Sequence, residues 1–150
     1  MTTRPPRRRL ARSRIVGAVL LVCYLGFAAA VVLWPHRVDG DSLGVYRVLY
    51  QGYGHGLPRW ITYNLVQFVA NVLFAAPLGL FLAMMLPRRR WWVAVVICVT
   101  LFAAGELAQF FVPARMPSIL DWLANSLGGL LGAVIWRLCS RPDRLTSRMY

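Results

Sequence analysis

The chain has 150 residues, of which 59% are hydrophobic, and its mean hydropathy is +0.56. A soluble domain is nearer to about 45–50% apolar. The formal net charge is +12, from 17 arginines and no lysine. These arginines lie between apolar segments rather than on one soluble face, which argues against a nucleic-acid-binding domain.

Four apolar segments are long enough to cross a membrane, because a spanning helix needs about 20 mostly apolar residues. Irregular backbone cannot face lipid, so the sequence predicts an all-α integral membrane protein, a bundle of four transmembrane helices. We expect one membrane domain over residues 15–138, with a basic, disordered tail over residues 1–14 and a second basic tail over residues 139–150. The predicted spans are residues 15–34, 63–86, 91–112 and 119–138.

The arginines are divided unequally between the two sides of the predicted bundle. Thirteen precede the first span, separate the second from the third, or end and follow the fourth. The other side holds four: Arg37, Arg47, Arg59 and Arg115. The positive-inside rule therefore predicts that both termini are cytoplasmic and that both basic tails touch anionic lipid headgroups.

The start of the chain is also typical of a signal peptide, with arginines, an apolar run and Ala28–Ala30. The apolar run continues through Trp34, which gives a full span, so we expect the segment to be retained as an anchor. The three cysteines show no pairing pattern, which indicates neither a disulfide framework nor a metal site, and no cofactor is expected. We expect Cys23 and Cys98 to pack in the core.

Residues 36–62 form the one sizeable loop, on the predicted outer side. Apolar and aromatic residues recur within it at helical spacing, which predicts a short amphipathic helix on the bilayer surface. The residues that carry this pattern are Leu43, Tyr46, Leu49, Tyr50 and Tyr53.

Polar residues are concentrated toward the outer ends of the last three spans. Ionisable groups in such segments cost at least about 2.5 kcal/mol each, so they usually pair, face a cavity or do chemistry. At a rise of about 1.5 Å per residue, all the polar residues of these three spans lie within roughly 12 Å of the outer interface. Helical spacing puts each set on one face of its helix. The sets are Asn64, Gln67 and Asn71; Glu106 and Gln109; and Asp121 and Asn125.

Small residues and one proline lie in the second and fourth spans. Pro77 removes a backbone donor and is expected to kink the second span near Leu73. The small-xxx-small pattern predicts close helix packing beneath a polar pocket. We assign helix packing to Pro77, Gly79, Gly128, Gly129 and Gly132.

At these residues the chain resembles the VanZ-like membrane protein family, over roughly residues 63–135. The first matching block is Asn71-x5-Pro77-x-Gly79. The second contains Glu106-x2-Gln109 and then Arg115-x5-Asp121-x3-Asn125-x2-Gly128-x3-Gly132. Family members often carry further acids between the arginine and the aspartate, where this chain has Ser118 and Leu120. The resemblance implies a bacterial inner-membrane protein, and the family's namesake is associated with resistance to the glycopeptide teicoplanin.

Three functional hypotheses follow. In the first, a non-catalytic envelope factor binds an envelope lipid, a cell-wall precursor or a glycopeptide at an outer-leaflet pocket. In the second, an intramembrane enzyme uses Glu106 as general acid or base, with Asp121 orienting a partner or stabilising a cation. In the third, a structural subunit is held by a Glu106–Arg115–Asp121 salt-bridge clamp.

We favour the binding hypothesis, because no histidine or lysine lies near Ser118 or Ser126 in the sequence to activate a nucleophile. The expected partners are the lipid bilayer and an envelope headgroup, not a nucleic acid. The candidate ligand-binding residues are Asn71, Glu106, Gln109, Arg115, Asp121 and Asn125.

Overall fold

The computed structural model describes residues 6–32, 42–109 and 118–140. These residues form five α-helices and one short 3-10 turn, Arg88–Arg90, and they contain no strand. The helices are α1 (Pro6–Val32), α2 (Ser42–Gly54), α3 (Tyr63–Met85), α4 (Trp91–Gln109) and α5 (Ile119–Cys139).

The prediction of an all-α membrane bundle with four spans is confirmed. Four of the described helices, α1, α3, α4 and α5, are long and apolar enough to cross a membrane. The observed bounds of α3 and α5 differ by one residue from the predicted second and fourth spans. The predicted ends of the first and third spans, at residues 34 and 112, lie outside the described residues.

The first helix begins earlier than expected. It starts at Pro6, so the expectation of a disordered segment up to residue 14 is wrong for residues 6–14. Proline is well suited to the first position of a helix, and arginine is a good helix former. The basic residues before Ile15 therefore extend the first span as helix.

The core of the bundle is built from small side chains. The largest fully buried side chain among the described residues is Cys98, while Leu73 and Leu138 are 68% and 74% exposed. Lipid tails are as apolar as leucine, so close packing of small residues holds membrane helices together. Among the described hydrophobic residues, those that are fully or almost fully buried are Ala75, Ala83, Ala94, Cys98, Ala124 and Ala133.

Glycines bring the backbones of α3 and α5 into direct contact. A Cβ atom on Gly79 would overlap the backbone of Gly129, and a Cβ on Gly132 would overlap the Ala76 carbonyl. A Cβ on Gly128 would likewise overlap the Val72 carbonyl. The helix pair that carries most of the polar residues is thereby fixed in position.

Cysteine packing differs between α4 and α1. Cys98 is buried, and its Cβ would lie 2.6 Å from a Cβ on Gly129, so α4 also approaches α5 closely. Cys23 is exposed, which makes the prediction that it packs in the core wrong. Cys23 immediately precedes Tyr24, which faces α3. Because successive residues of a helix point about 100° apart, Cys23 does not point toward α3 as Tyr24 does.

Tyr24 docks α1 beside the proline of α3. Its hydroxyl donates a 2.6 Å hydrogen bond to the Phe74 carbonyl, and its ring centroid lies 5.8 Å from that of Phe74. Pro77 has no N–H, so the carbonyl of Leu73 lacks its usual donor within the helix. Leu73 is the residue before Phe74, whose carbonyl Tyr24 binds. The helix α3 nevertheless continues through Pro77, with α1 supplying a donor at this turn.

The amphipathic helix predicted in the outer loop is present as α2. Its Leu49 is buried, and the Tyr46 ring stacks on Tyr63 of α3 at a centroid distance of 4.9 Å. The helix ends at Gly54, and Gly56 then adopts a φ of +94°, which is disfavoured for residues with a Cβ. The predicted contact of α2 with the bilayer surface stays a prediction.

The membrane orientation is also a prediction, and it can be tested with reporter fusions. Fusions after Leu86 and at Tyr150 should both report a cytoplasmic location, because the arginine-rich connections are retained inside. A fusion at His55, in the turn after α2, should report the opposite side. A periplasmic signal at Leu86 or Tyr150 would contradict the orientation and the outward-facing polar site.

Candidate functional site

Asp121 connects α5 to α3 through two side-chain amides. Its Oδ1 accepts a 2.9 Å hydrogen bond from Asn71 Nδ2 and a longer one, 3.4 Å, from Gln67 Nε2. Asp121 and Asn71 are half-buried, whereas Gln67 is exposed. A carboxylate acceptor strengthens such bonds, so Asn71 and Asp121 form the firmest polar contact between the two helices.

Glu106 of α4 binds the start of α5. Its Oε2 accepts a 2.8 Å hydrogen bond from the backbone N–H of Ser118, the N-cap residue of α5. The Ser118 hydroxyl in turn accepts a bond from the Asp121 N–H at 3.3 Å. Two otherwise unpaired donors at the helix terminus are thus satisfied.

This arrangement is a capping box divided between helices. In the usual form, the acid three residues after the N-cap reaches back to the N-cap N–H. Here Asp121 occupies that position but its side chain binds α3, and Glu106 of α4 takes the N-cap N–H instead. The positive end of the α5 dipole also favours both carboxylates. One helix start therefore joins α3, α4 and α5.

A stripe of amides leads from this cluster to an open groove. Asn64, Gln67 and Asn71 recur along one face of α3 and cover about 10 Å of its length. Asn64, at the end of the stripe, lines an open cavity of about 280 Å³. The other lining residues are Tyr46, Leu49, Tyr53, Thr62 and Tyr63.

The groove is held in shape by bonds around its rim. The Tyr53 hydroxyl donates to the Ile61 carbonyl at 2.6 Å. The Thr62 hydroxyl caps α3 by accepting from the Leu65 N–H. Asn64 is exposed, and its side chain makes no hydrogen bond to another described residue. Its amide is available to a ligand in the groove.

The predicted site residues are placed unequally. Asn71, Glu106 and Asp121 lie in one connected network through Ser118. Asn125 is half-buried one turn further along α5, and within the described part of the chain its side chain forms no hydrogen bond. Arg115 and the side chain of Gln109 lie outside the described residues, and so does the clamp that involves Arg115.

Sequence reasoning missed the N-cap role of Ser118. The signal was present, because Ser118-x-x-Asp121 before an apolar run is a capping-box pattern. It also missed Trp122, whose indole N–H donates to the Val99 carbonyl of α4 at 3.2 Å. The position of Trp122 in the sequence does not identify Val99 as its partner, because this contact depends on how α4 and α5 cross.

The cluster offers carboxylate acceptors and amide groups rather than a metal-ligand set. Among the residues that the structure describes, no three His, Cys, Asp or Glu side chains are placed to hold a metal ion. Ser118 is engaged at the N-terminus of α5: its N–H donates to Glu106 and its Oγ accepts from the Asp121 N–H. The described side chains of the cluster can therefore act as hydrogen-bond donors and acceptors.

The chain matches a known protein family. A family model described as VanZ/LLP1 matches residues 21–140, which include α3, α4, α5 and the polar cluster. Searches of curated proteins and of solved structures give no match.

Proposed function

Because the chain belongs to the VanZ/LLP1 family, we propose that it is a non-catalytic factor of the bacterial inner membrane with an outward-facing binding site. The ligand is the polar headgroup of an envelope lipid or cell-wall precursor, or a glycopeptide. Through binding of such a precursor or glycopeptide, a protein of this family would affect glycopeptide resistance.

The observation that carries this proposal is the amide stripe of α3 and the groove at its end. Asn64 and Gln67 are exposed, and they continue the line of Asn71 toward the cavity beside Tyr46. Amide groups beside aromatic rings are suited to sugars and peptides, which combine hydroxyl or amide groups with apolar faces. In the proposed orientation the groove opens toward the outer leaflet.

The remaining candidate residues have supporting roles in this proposal. Arg115 pairs with a phosphate of the ligand, and Gln109 and Asn125 add hydrogen bonds to its sugar or peptide part. Glu106 and Asp121 hold the helix ends that frame the site. Their described bonds to Ser118 and Asn71 favour this positioning role over proton transfer.

A structural subunit is the second candidate function. The divided capping box favours it, because Glu106, Ser118 and Asp121 are bonded to one another and join α4 to the start of α5. The two functions differ in what they require of Asn64 and Gln67. A purely structural role needs neither side chain, since Asn64 has no bond to a described residue and the Gln67 bond is long and exposed.

The double variant Asn64→Ala/Gln67→Ala tests the proposal. We expect its melting temperature in detergent to match that of the wild type, while its affinity for the ligand falls at least about tenfold, since two hydrogen bonds are lost. Binding is measured on the full chain in nanodiscs with three probes: a lipid-linked disaccharide-pentapeptide precursor, teicoplanin and an anionic phospholipid without sugar.

Thr100→Ala is the control, because Thr100 is an exposed polar residue of α4 remote from the outer groove. It should change neither melting nor binding. If the wild type binds none of the three probes, or if the double variant binds as tightly as the wild type, the binding function is wrong. The structural role would then be the better account.

A further inference from the structure

The end of the bundle opposite the polar cluster carries a group of arginines, which we call the basic end cluster: Arg88, Arg89, Arg90 and Arg137. The first three form the turn before α4, and Arg137 lies in the last turn of α5. Glu106 and Asp121 are the described carboxylates. At about 1.5 Å per residue they lie more than about 20 Å away along α4 and α5.

Arg88 is fixed by one of its nitrogens. Its Nε donates a 3.1 Å hydrogen bond to the backbone carbonyl of Arg137. That carbonyl is near the end of α5, where carbonyl groups lack partners within the helix. A guanidinium has five N–H donors. The four donors on the terminal nitrogens of Arg88 are thus presented from a held side chain.

Arg137 is held by an aromatic ring. Its guanidinium carbon lies 4.9 Å from the centroid of the Trp91 ring, the geometry of a cation–π contact. Stacking leaves the edge of the guanidinium open to hydrogen bonding. Since Trp91 begins α4 directly after the arginine turn, the contacts of Arg88 and Arg137 place both residues at the junction of α4 and α5.

The surroundings suit a lipid rather than a free ion. Arg89, Arg90 and Arg137 are exposed, and so are the apolar side chains Trp92 (55%) and Leu138 (74%). A headgroup phosphate at the arginines would place its acyl chains along such apolar side chains. The N-terminal end of α4 adds a favourable dipole for an anion.

We propose that Arg88 and Arg137 form a binding site for the phosphate of an anionic phospholipid headgroup, in the leaflet at this end of the bundle. The planar fork of arginine binds phosphate oxygens in pairs, which a lysine ammonium cannot do. The site therefore differs from a general attraction of basic residues to the membrane, because it depends on geometry as well as charge. It is independent of the proposed outer groove.

The test is native mass spectrometry of the full chain, titrated with phosphatidylglycerol or with phosphatidylcholine. We expect the wild type to retain phosphatidylglycerol preferentially, and Arg88→Gln/Arg137→Gln to bind it at least about tenfold more weakly. Arg88→Lys/Arg137→Lys keeps the charge that supports insertion, and it should still lose about threefold to tenfold because the fork and the stacking on Trp91 are lost.

The control is Arg47→Gln/Arg59→Gln, which removes the same charge from the other side of the protein and should bind as the wild type does. Millimolar inorganic phosphate should not displace the lipid. Equal binding of the two lipids by the wild type would overturn the proposal. So would full affinity in the lysine variant, equal losses in both glutamine variants, or displacement by free phosphate.

Discussion

Replacing Gly132 with alanine should strongly destabilise the bundle. The added Cβ would overlap the carbonyl of Ala76 and lie 2.7 Å from the backbone nitrogen of Leu80. Both atoms belong to the α3 backbone, so no side chain can rotate away and α3 must separate from α5. We expect a loss of about 3 kcal/mol or more, the upper end of the usual cost of overpacking.

Gly105→Ala is the matched control for this change. Gly105 also lies within a helix, but a Cβ there meets no atom within 4 Å. Alanine favours helix over glycine, so this variant should be neutral or slightly more stable. Both variants are compared by membrane abundance and by thermal melting in detergent. Normal melting of Gly132→Ala would show that α3 and α5 do not pack as closely as described.

Replacing Asp121 with alanine should produce the second large effect. The change leaves the half-buried Asn71 amide without its 2.9 Å partner and removes the favourable charge at the start of α5. Leaving a buried donor unsatisfied costs about 1–3 kcal/mol. Asp121→Asn keeps an acceptor oxygen, so it should lose less stability than Asp121→Ala in the same melting assay.

Glu106→Gln is the control for charge at the divided capping box. Glutamine retains an oxygen that can accept from the Ser118 N–H, so abundance and melting should stay near those of the wild type. If Asp121→Ala melts like the wild type, the bond between Asp121 and Asn71 does not join the helices. If Glu106→Gln is lost from the membrane, charge at this position is required for folding.

The polar cluster shows how far sequence reasoning extends. The depth of Asn71, Glu106 and Asp121 follows from the direction of each predicted span, since each residue adds a fixed rise. The pairing of Asp121 with Asn71, and of Glu106 with Ser118, does not follow from depth. It depends on how far each helix is rotated about its axis, which contacts between distant residues determine.

The α1 helix gives a second example. Its apolar length predicts a span, but its low amphipathicity leaves the face that meets α3 undefined. The predicted core position of Cys23 is therefore wrong, and Gly17 and Tyr24 make the contact instead. Gly17 lies seven residues before Tyr24, or about two helical turns, which is a usable pattern only once the partner helix is known.

A bundle of four membrane-spanning helices, with polar residues gathered toward one end, can be predicted from the sequence alone. Those properties depend on hydrophobic length and on the order of residues, both of which are local. The packing of the helices is needed to show which carboxylate binds which helix, that an open groove continues the amide stripe, and that Arg137 stacks on Trp91. The bond between Asp121 and Asn71 is possible because glycines allow α3 and α5 to touch along their backbones, and that closeness fixes the rotation of both helices.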